Sequence, residues 1–309
     1  MARADLRRIV VTGVGAIHGL GVGAPPLIEA LRAGGEPDED LLAADYDPED
    51  YRESPKTYMD PCSDLVLAAC YLAVRDANLG WQGAEHPGFE SDRLGVSLGT
   101  AFGTTASMLS MTGRVQQKGL RFGSPMIFTH AFINTPAALA SIEYELQGPN
   151  MTHSLGDASA AAAFAYALTM MRGGRADLML AGGAEALSDP VIAVMDERGV
   201  AGVLGEGAAM LILETAECAS NRGARPLAEL TGASCLAPCA DGGGEAVLAA
   251  GADGARVIDA SPACGHTFGA SVALSAACCV GMLTDGAGEP LAAVAPDGSG
   301  AVVLEEWRE

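Results

Sequence analysis

The cysteines and a glycine-rich turn are the first candidates for chemistry in this chain. No two of the eight cysteines form a C-x-x-C pair, and a structural zinc site needs four convergent ligands, which Cys235 and Cys239 alone do not supply. Cysteines without such spacing are usually reduced and behave as small hydrophobic side chains. We therefore expect neither a metal site nor a disulfide. The cysteines occupy positions 62, 70, 218, 235, 239, 264, 278 and 279.

The glycine-rich turn at residues 12–19 follows an apolar stretch, as a dinucleotide-binding turn would. The third glycine of a G-x-G-x-x-G motif falls on His18, however, and Pro25 and Pro26 interrupt the helix that should follow directly. The chain also lacks the G-x-x-x-x-G-K-[ST] sequence of a phosphate-binding loop. We therefore expect no nucleotide or other cofactor.

Charge and hydropathy exclude two classes of partner. Thirty-nine acidic and 18 basic residues give a net charge of −21, which repels nucleic acid and anionic membranes. The two longest apolar runs, Ala158–Met171 and Ala270–Leu283, have about 14 residues each, fewer than the roughly 20 that span a bilayer. The N-terminus shows no secretory signal pattern. We expect a cytoplasmic protein that binds neither nucleic acid nor membranes.

Apolar periodicity predicts strands that alternate with helices along the whole chain. Several strands are apolar on both faces, which favours a largely parallel sheet covered by helices on each side. The predicted strands cover residues 8–13, 94–100, 150–155, 178–183, 208–214, 255–259 and 300–306. The predicted helices cover residues 26–33, 62–77, 106–117, 135–146, 158–172 and 269–284.

Five ordered motifs resemble the β-ketoacyl synthase family, whose members condense an acyl chain with malonyl groups on acyl carrier protein. They are Arg8–Ala16, Ser124–Asn134, Leu146–Asn150, Ala176–Glu185 and Leu204–Ala208. The resemblance implies an α/β, thiolase-like fold, with two fused β-α halves in a layered αβαβα arrangement. It divides the chain into an N-terminal half, residues 1–225, with a degenerate nucleophile site, and a shortened C-terminal half, residues 226–309.

The same resemblance places Asp157 where the family has its nucleophilic cysteine. That cysteine follows a Gly-Pro pair at a fixed distance, and counting from Gly148-Pro149 reaches Asp157. A carboxylate there would form an anhydride with the acyl chain, so we do not expect thioester exchange. The sequence also allows a purely structural role, in which Asp157 is the N-cap or a first-turn anion of the helix that follows.

Three further parts of the family's catalytic machinery are altered or missing. The motif Cys264–Ser271 places His266 in the role of the second histidine, while the lysine five residues earlier is replaced by Ser261. The first histidine has no counterpart, because the chain between Gly232 and Ala263 is much shorter than the family requires. The closing glycine-rich motif is reduced to residues 296–300.

These losses suggest a subunit that resembles the chain length factor of type II polyketide synthases. Such a subunit is non-condensing, pairs with an active ketosynthase and shapes its acyl tunnel, and the shortened C-terminal half favours a reduced or polyene product. An acidic chain is a poor dock for acidic carrier protein, which we expect to bind through the partner; a local basic patch at Arg114, Lys118 and Arg121 is the alternative. Two other functions stay open: an enzyme that uses Asp157 and His266 for decarboxylation or proton transfer on a thioester, and a homodimeric regulatory pseudoenzyme.

Three apolar residues are candidates for the acyl tunnel or the partner interface. Met108 aligns with the end of the family's acyl pocket, and Phe128 and Phe132 lie in the segment that resembles its dimer-contact loop. The alternative interpretation is that all three belong to the ordinary hydrophobic core.

Overall fold

A computed structural model describes residues 7–43, 46–81, 85–199, 202–236, 244–252 and 254–308. Its strands join in one sheet with the order β4-β3-β5-β6-β1-β7-β10-β9-β8, and β2 pairs with β1. The strands are β1 Ile9–His18, β2 Gly21–Val22, β3 Leu94–Gly99, β4 Asn150–His153, β5 Leu178–Glu185, β6 Gly207–Thr215, β7 Ala228–Cys235, β8 Arg256–Ile258, β9 Leu291–Val294 and β10 Gly300–Glu305. The helices are α1 Pro25–Ala33, α2 Pro61–Asp76, α3 Thr105–Lys118, α4 Pro125–Phe128, α5 Thr135–Glu143, α6 Ser159–Arg172, α7 Asp189–Glu197, α8 Ala216–Asn221, α9 Gly244–Ala249, α10 Ser261–Cys264 and α11 Ser271–Thr284.

The two halves of the sheet follow the same plan, but the second half has one strand fewer. In the first half, β4, β3 and β5 are parallel, and β6 and β1 follow antiparallel. In the second half, β8 and β9 are parallel, and β10 and β7 follow antiparallel. The counterpart of β3 is therefore missing, since the described residues between β7 and β8 form α9 and no strand. This confirms that the C-terminal half is shortened.

The expectation of a largely parallel sheet is wrong. Three of the nine pairings among the described strands are parallel and six are antiparallel. An apolar run shows that both faces of a strand are buried but does not reveal its direction. Glu185 at the end of β5 pairs with Gly207 at the start of β6, so the connection between the two strands leaves and re-enters the sheet at the same end of the strands. That geometry requires antiparallel strands despite the intervening α7.

Helices and strands form five layers. Along β5, Leu178 and Leu180 pack with α2 and α5, whereas Met179 and Ala181 face α6 and α11. Helices α6 and α11 contact strands of both halves, and α9 packs on β9 and β10. The expected αβαβα layering is thus confirmed, with α6 and α11 as the central layer. None of the described helices is both long and apolar enough to cross a membrane.

Two glycines let the central helix α6 begin close against the first half of the sheet. A Cβ atom on Gly99 would lie 2.3 Å from the backbone nitrogen of Ala160, and one on Gly183 would lie 2.5 Å from the carbonyl oxygen of Gly269. Any side chain at these positions would displace backbone atoms. The close approach sets the ends of β3 and β5 beside the turns that precede α6 and α11.

Candidate functional site

Asp157 lies in the turn between β4 and α6, where Gly156 adopts a positive φ of 61°. Helix α6 begins at Ser159 with Ala158 as its N-cap residue, and no side chain caps the helix. The interpretation of Asp157 as an N-cap is therefore wrong. Its carboxylate, which is almost buried, instead accepts hydrogen bonds from His266 Nε2, with 2.9 Å to Oδ1 and 2.8 Å to Oδ2.

His266 is held by its backbone and by an aromatic neighbour. Its N–H donates to the carbonyl oxygen of Val203 at 2.8 Å, and its own carbonyl accepts from the N–H of Gly205 at 3.1 Å. The imidazole stacks on the ring of Phe268, with centroids 4.2 Å apart and an interplanar angle of 25°. A quarter of the His266 side chain is exposed, which leaves the ring accessible from solvent.

The structure places Ser261 in the same cleft as His266. The cleft has a volume of about 320 Å³, and Asp259, Gly265 and Pro296 also line it. The N–H of Ser261 donates to Asp259 Oδ1 at 2.9 Å, whereas the Ser261 hydroxyl is buried and has no partner among the described residues. Ser261 and His266 therefore line one cleft, and a hydrogen bond joins His266 to Asp157.

The Asp157–His266 pair can hold or transfer a proton, but it contains no thiol. Burial raises the pKa of every described cysteine, so none is a ready thiolate nucleophile at neutral pH. Cys264, two residues from His266, is an example, with a pKa raised to about 12. Cys239 lies outside the described residues. In the part of the chain that the structure describes, no group of three histidine, cysteine or carboxylate side chains could hold a metal ion.

Sequence reasoning passed over Glu185, which ends β5 beside the site and is fully buried. It accepts hydrogen bonds from backbone N–H groups of two turns, 100–103 and 268–270. Burial raises the pKa of Glu185 to about 7, although these hydrogen bonds oppose the shift. The available signal was a single carboxylate at the end of a wholly apolar strand, since charged residues are almost never fully buried without a partner.

The segment Gly95–Gly99 matches the G-x-S-x-G spacing of a hydrolase nucleophile, and the structure shows that it is not one. Ser97 lies inside β3 and is fully buried, whereas a nucleophile elbow needs an exposed strand-to-helix turn. The Ser97 hydroxyl is 3.3 Å from His153 Nε2. Ser97 is therefore part of the sheet.

Met108, Phe128 and Phe132 lie on the surface, so the interpretation of these residues as core is wrong. Their exposed fractions are 44%, 46% and 43%, and the two phenylalanine rings contact each other with centroids 4.9 Å apart. Helix α3 packs on α4, and α5 packs on β4. We call the exposed apolar residues of these elements and their connections the apolar face. Its members are Met108, Leu109, Leu120, Phe122, Met126, Phe128, Phe132, Ile133, Ile142, Met151 and Leu155.

Three cations border the apolar face. Arg114, Lys118 and Arg121 are exposed and form no ion pair with a described residue. No acidic residue occurs between Asp92 and Glu143, in a chain where about one residue in eight is acidic (39 of 309). A local basic patch therefore exists on this acidic protein.

Comparison of the sequence with known proteins identifies relatives of this chain. The beta-ketoacyl synthase N-terminal domain model matches residues 40–201. The chain is 29% identical over 268 residues to the oxytetracycline polyketide beta-ketoacyl synthase 1 of Streptomyces rimosus, covering 74% of this chain and 62% of that protein. The chain spans about three fifths of the length of most of the curated relatives it matches.

Solved structures show the same fold. The ishigamide ketosynthase/chain length factor superposes with a TM-score of 0.82 at 21% identity, over 98% of this chain and 100% of that chain. The ketosynthase complex AntDE:AntF, a type II polyketide synthase acyl-carrier protein with its ketosynthase, gives a TM-score of 0.81 at 20% identity and the same coverage. The thiolase-like ketosynthase fold is confirmed, and the chain belongs to the beta-ketoacyl synthase family.

Proposed function

We propose that this protein is a non-condensing, ketosynthase-like subunit, a chain length factor, that pairs with an active ketosynthase and shapes its acyl tunnel in type II polyketide biosynthesis. One observation carries the proposal. The nucleophile position holds a carboxylate whose two oxygens both accept hydrogen bonds from His266 Nε2. An acyl group transferred to Asp157 would form a reactive anhydride in place of a thioester. The pairing with His266 also engages the nitrogen that would otherwise polarise a thioester carbonyl.

The missing strand supports the same function. The resemblance places the first histidine between Gly232 and Ala263, and this is the interval in which the second half of the sheet has one strand fewer than the first. Condensation needs hydrogen-bond donors aimed at the malonyl thioester oxygen. We assign the halves to residues 1–225 and 226–309, because α8 ends at Asn221 and β7 begins at Ala228.

The apolar face supports a protein partner. A soluble monomer rarely exposes a contiguous apolar surface larger than a few hundred Å², and larger ones usually mark an interface. Strand β4 lies at the edge of the sheet with one side unpaired among the described strands, and it belongs to this face. Met108, Phe128 and Phe132 would then contact the partner ketosynthase near its acyl tunnel. Polyene or other reduced products are the class we expect, and the partner would contribute the main dock for carrier protein.

Co-expression with a candidate ketosynthase tests the proposal. We expect a one-to-one complex by size exclusion and native mass spectrometry, and product formation from malonyl carrier protein only when both chains are present. The Phe128→Asp variant should abolish the complex without unfolding the isolated chain. Leu248→Asp is the matched control, since Leu248 is 58% exposed on α9, which packs on β7, β9 and β10 of the second half. A wild-type chain that remains alone in the presence of the ketosynthase would refute the pairing.

A second candidate function is favoured by the Asp157–His266 pair beside an open cleft. Such a pair could assist decarboxylation or proton transfer on an acyl thioester. In that case the isolated wild-type chain releases CO₂ from malonyl carrier protein, and Asp157→Ala abolishes the release. Turnover by the isolated chain would contradict the non-catalytic function. Its absence, together with product formation by the complex, would exclude the second candidate.

A further inference from the structure

Glu185 joins two turns that come from different halves of the molecule. Its Oε1 accepts hydrogen bonds from the N–H of Phe102 at 2.9 Å, the N–H of Gly103 at 3.2 Å and the Thr100 hydroxyl at 3.2 Å. Its Oε2 accepts from the N–H of Ala101 at 2.7 Å and the N–H of Gly269 at 3.2 Å. The turn 100–103 follows β3, and the turn 268–270 precedes α11. One buried carboxylate therefore ties the first half to the second.

Each of these turns contributes one ring to a chain of contacts that ends at Asp157. The rings of Phe102 and Phe268 meet edge to face with centroids 5.0 Å apart. Phe268 in turn stacks on His266 at 4.2 Å, and His266 bonds Asp157 at 2.8 Å. The position of the imidazole therefore depends on how the two turns are held.

Phe268 shows why the second turn needs an external restraint. Its φ of +42° lies in the left-handed region, which non-glycine residues rarely adopt and which persists only where surrounding contacts impose it. The N–H of the next residue, Gly269, donates to Glu185. The absence of a side chain at Gly183 lets the turn approach β5, since a Cβ there would lie 2.5 Å from the Gly269 oxygen.

We propose that Glu185 is a positioning residue, which fixes His266 against Asp157 by holding the turns 100–103 and 268–270 together. A carboxylate suits this position because an ionised carboxylate only accepts hydrogen bonds, and all of its partners here are donors. A glutamine would direct its own amide hydrogens at those donors.

Protonation of Glu185 should weaken this restraint. Burial raises its pKa to about 7, so the carboxylate gains a proton as the pH falls through neutrality and loses acceptor capacity. The titratable group that faces it from α2 is the Cys62 thiol, which burial keeps neutral by raising its pKa far above the usual value. Asp60 and Glu206 carry further negative charge near that thiol, and none of the described cations pairs with Glu185.

The test is NMR spectroscopy of the intact isolated chain. The ring protons of His266, assigned by their loss in His266→Gln, report the stacking on Phe268 through ring-current shifts. At about pH 8 we expect Glu185→Gln to move these shifts towards random-coil values, with Glu185→Asp intermediate. In the wild type, the amide protons of Ala101 and Gly269 should shift together with a midpoint near pH 7, and this transition should vanish in Glu185→Gln.

Glu214→Gln is the matched control. Glu214 is also fully buried and lies at the opposite end of the β5–β6 pair, where it pairs with Leu178. We expect this variant to lower the melting temperature but to leave the His266 ring shifts unchanged. Unchanged His266 shifts in Glu185→Gln, or equal changes in both variants, would overturn the proposal. If Glu185→Gln does not fold, Glu185→Asp decides, because unchanged His266 ring shifts in that shorter carboxylate variant would overturn the proposal as well.

Discussion

The substitution Asp157→Cys tests whether the turn before α6 provides the environment that a nucleophilic cysteine needs. The new thiol would lie just before the N-terminus of α6, a helix of 14 residues, and beside His266 Nε2, which is now 2.8 Å from the Asp157 carboxylate. Both neighbours favour a thiolate: the helix through its N-terminal partial positive charge, the imidazole through hydrogen bonding or, when protonated, charge. We expect a reactive thiol at this position.

The magnitude follows from general thiol chemistry. Cysteines at helix N-termini or beside a protonated histidine have a pKa of about 3.5–7.5, compared with about 8.5 for a free thiol. A fall of about two units, to roughly 6.5, is worth about 2.7 kcal/mol of differential stabilisation. At pH 6 it raises the thiolate fraction from about 0.3% to about 24%, while the lower basicity reduces the intrinsic nucleophilicity roughly eightfold. The net gain in alkylation rate is about tenfold.

Iodoacetamide labelling at about pH 6, followed by peptide mass spectrometry, measures this gain. A free thiol is the reference for the whole gain, and the double variant Asp157→Cys/His266→Gln, in which the imidazole is removed but the helix remains, isolates the share that His266 contributes. The native cysteines give a low background, because burial raises the pKa of all seven that the structure describes. Equal labelling rates in the single and the double variant would refute the contribution of His266. Formation of a β-ketoacyl product by isolated Asp157→Cys would refute the argument that the shortened C-terminal half has lost condensation.

Three other predictions concern stability. Burial disfavours the ionised form of Glu185 and raises its pKa from 4.5 to about 7. The ionised carboxylate holds the two turns but incurs the cost of desolvation, so the stability due to the protonated form is complete below the unfolded pKa and is lost as the pH rises through about 7. In urea unfolding, the free energy of unfolding of the wild type minus that of Glu185→Gln should fall by roughly 3 kcal/mol between about pH 4 and pH 8. A difference that does not change with pH would contradict the raised pKa. A hydrogen bond from Arg93 lowers the pKa of Asp177. Asp177 therefore contributes to the stability of the fold above its unfolded pKa, and this contribution is lost as the pH falls. Asp177→Asn should therefore cost about 1 kcal/mol at pH 7 and close to nothing at about pH 2, and an equal cost at both values would count against the ion pair. Gly99→Ala should lower stability by about 2 kcal/mol or more in the same assay, because its Cβ would lie 2.3 Å from the Ala160 nitrogen, and a neutral effect would show that α6 can shift.

The sequence predicts the long helices and most of the long strands, because long apolar runs bounded by glycine leave few alternatives. It does not predict the strands β7 and β9 or the short helices α4, α7, α8, α9 and α10. The helix predicted over 158–172 is α6, and the one predicted over 269–284 is α11, which starts two residues later because Phe268–Ala270 form a short 3-10 turn. The direction of the strands could not be predicted from the sequence. The direction of a strand depends on whether the preceding connection returns to the same end of the sheet or crosses to the opposite end. The sequence from Leu187 to Glu206 does not indicate which of the two occurs.

The geometry of the site depends on contacts that local patterns do not encode. Asp157 precedes a helix, and local rules therefore favour an N-cap, but Ala158 takes that position and the carboxylate bonds a histidine 109 residues away. Resemblance identified both residues, and only the packing of α6 against α11 shows that they pair. Glu185 carried a weaker signal still, since four of its five partners are backbone N–H groups, which have no sequence signature.

The apolar face, which we propose to contact a partner, coincides with a gap in the charge pattern of the sequence. Acidic residues occur about once in eight positions (39 of 309), yet the 50 residues from Arg93 to Ile142 contain none. Solubility alone would favour an even distribution of acids over exposed segments, and much of α3, α4 and α5 is exposed. Carboxylates are depleted from the cores of protein interfaces, because burying an unpaired charge is costly. This segment has no acidic residue, is rich in Met and Phe, lies on the surface and is bordered by cations that form no ion pair with a described residue. A partner that covers the segment explains these features better than the requirements of the isolated chain do.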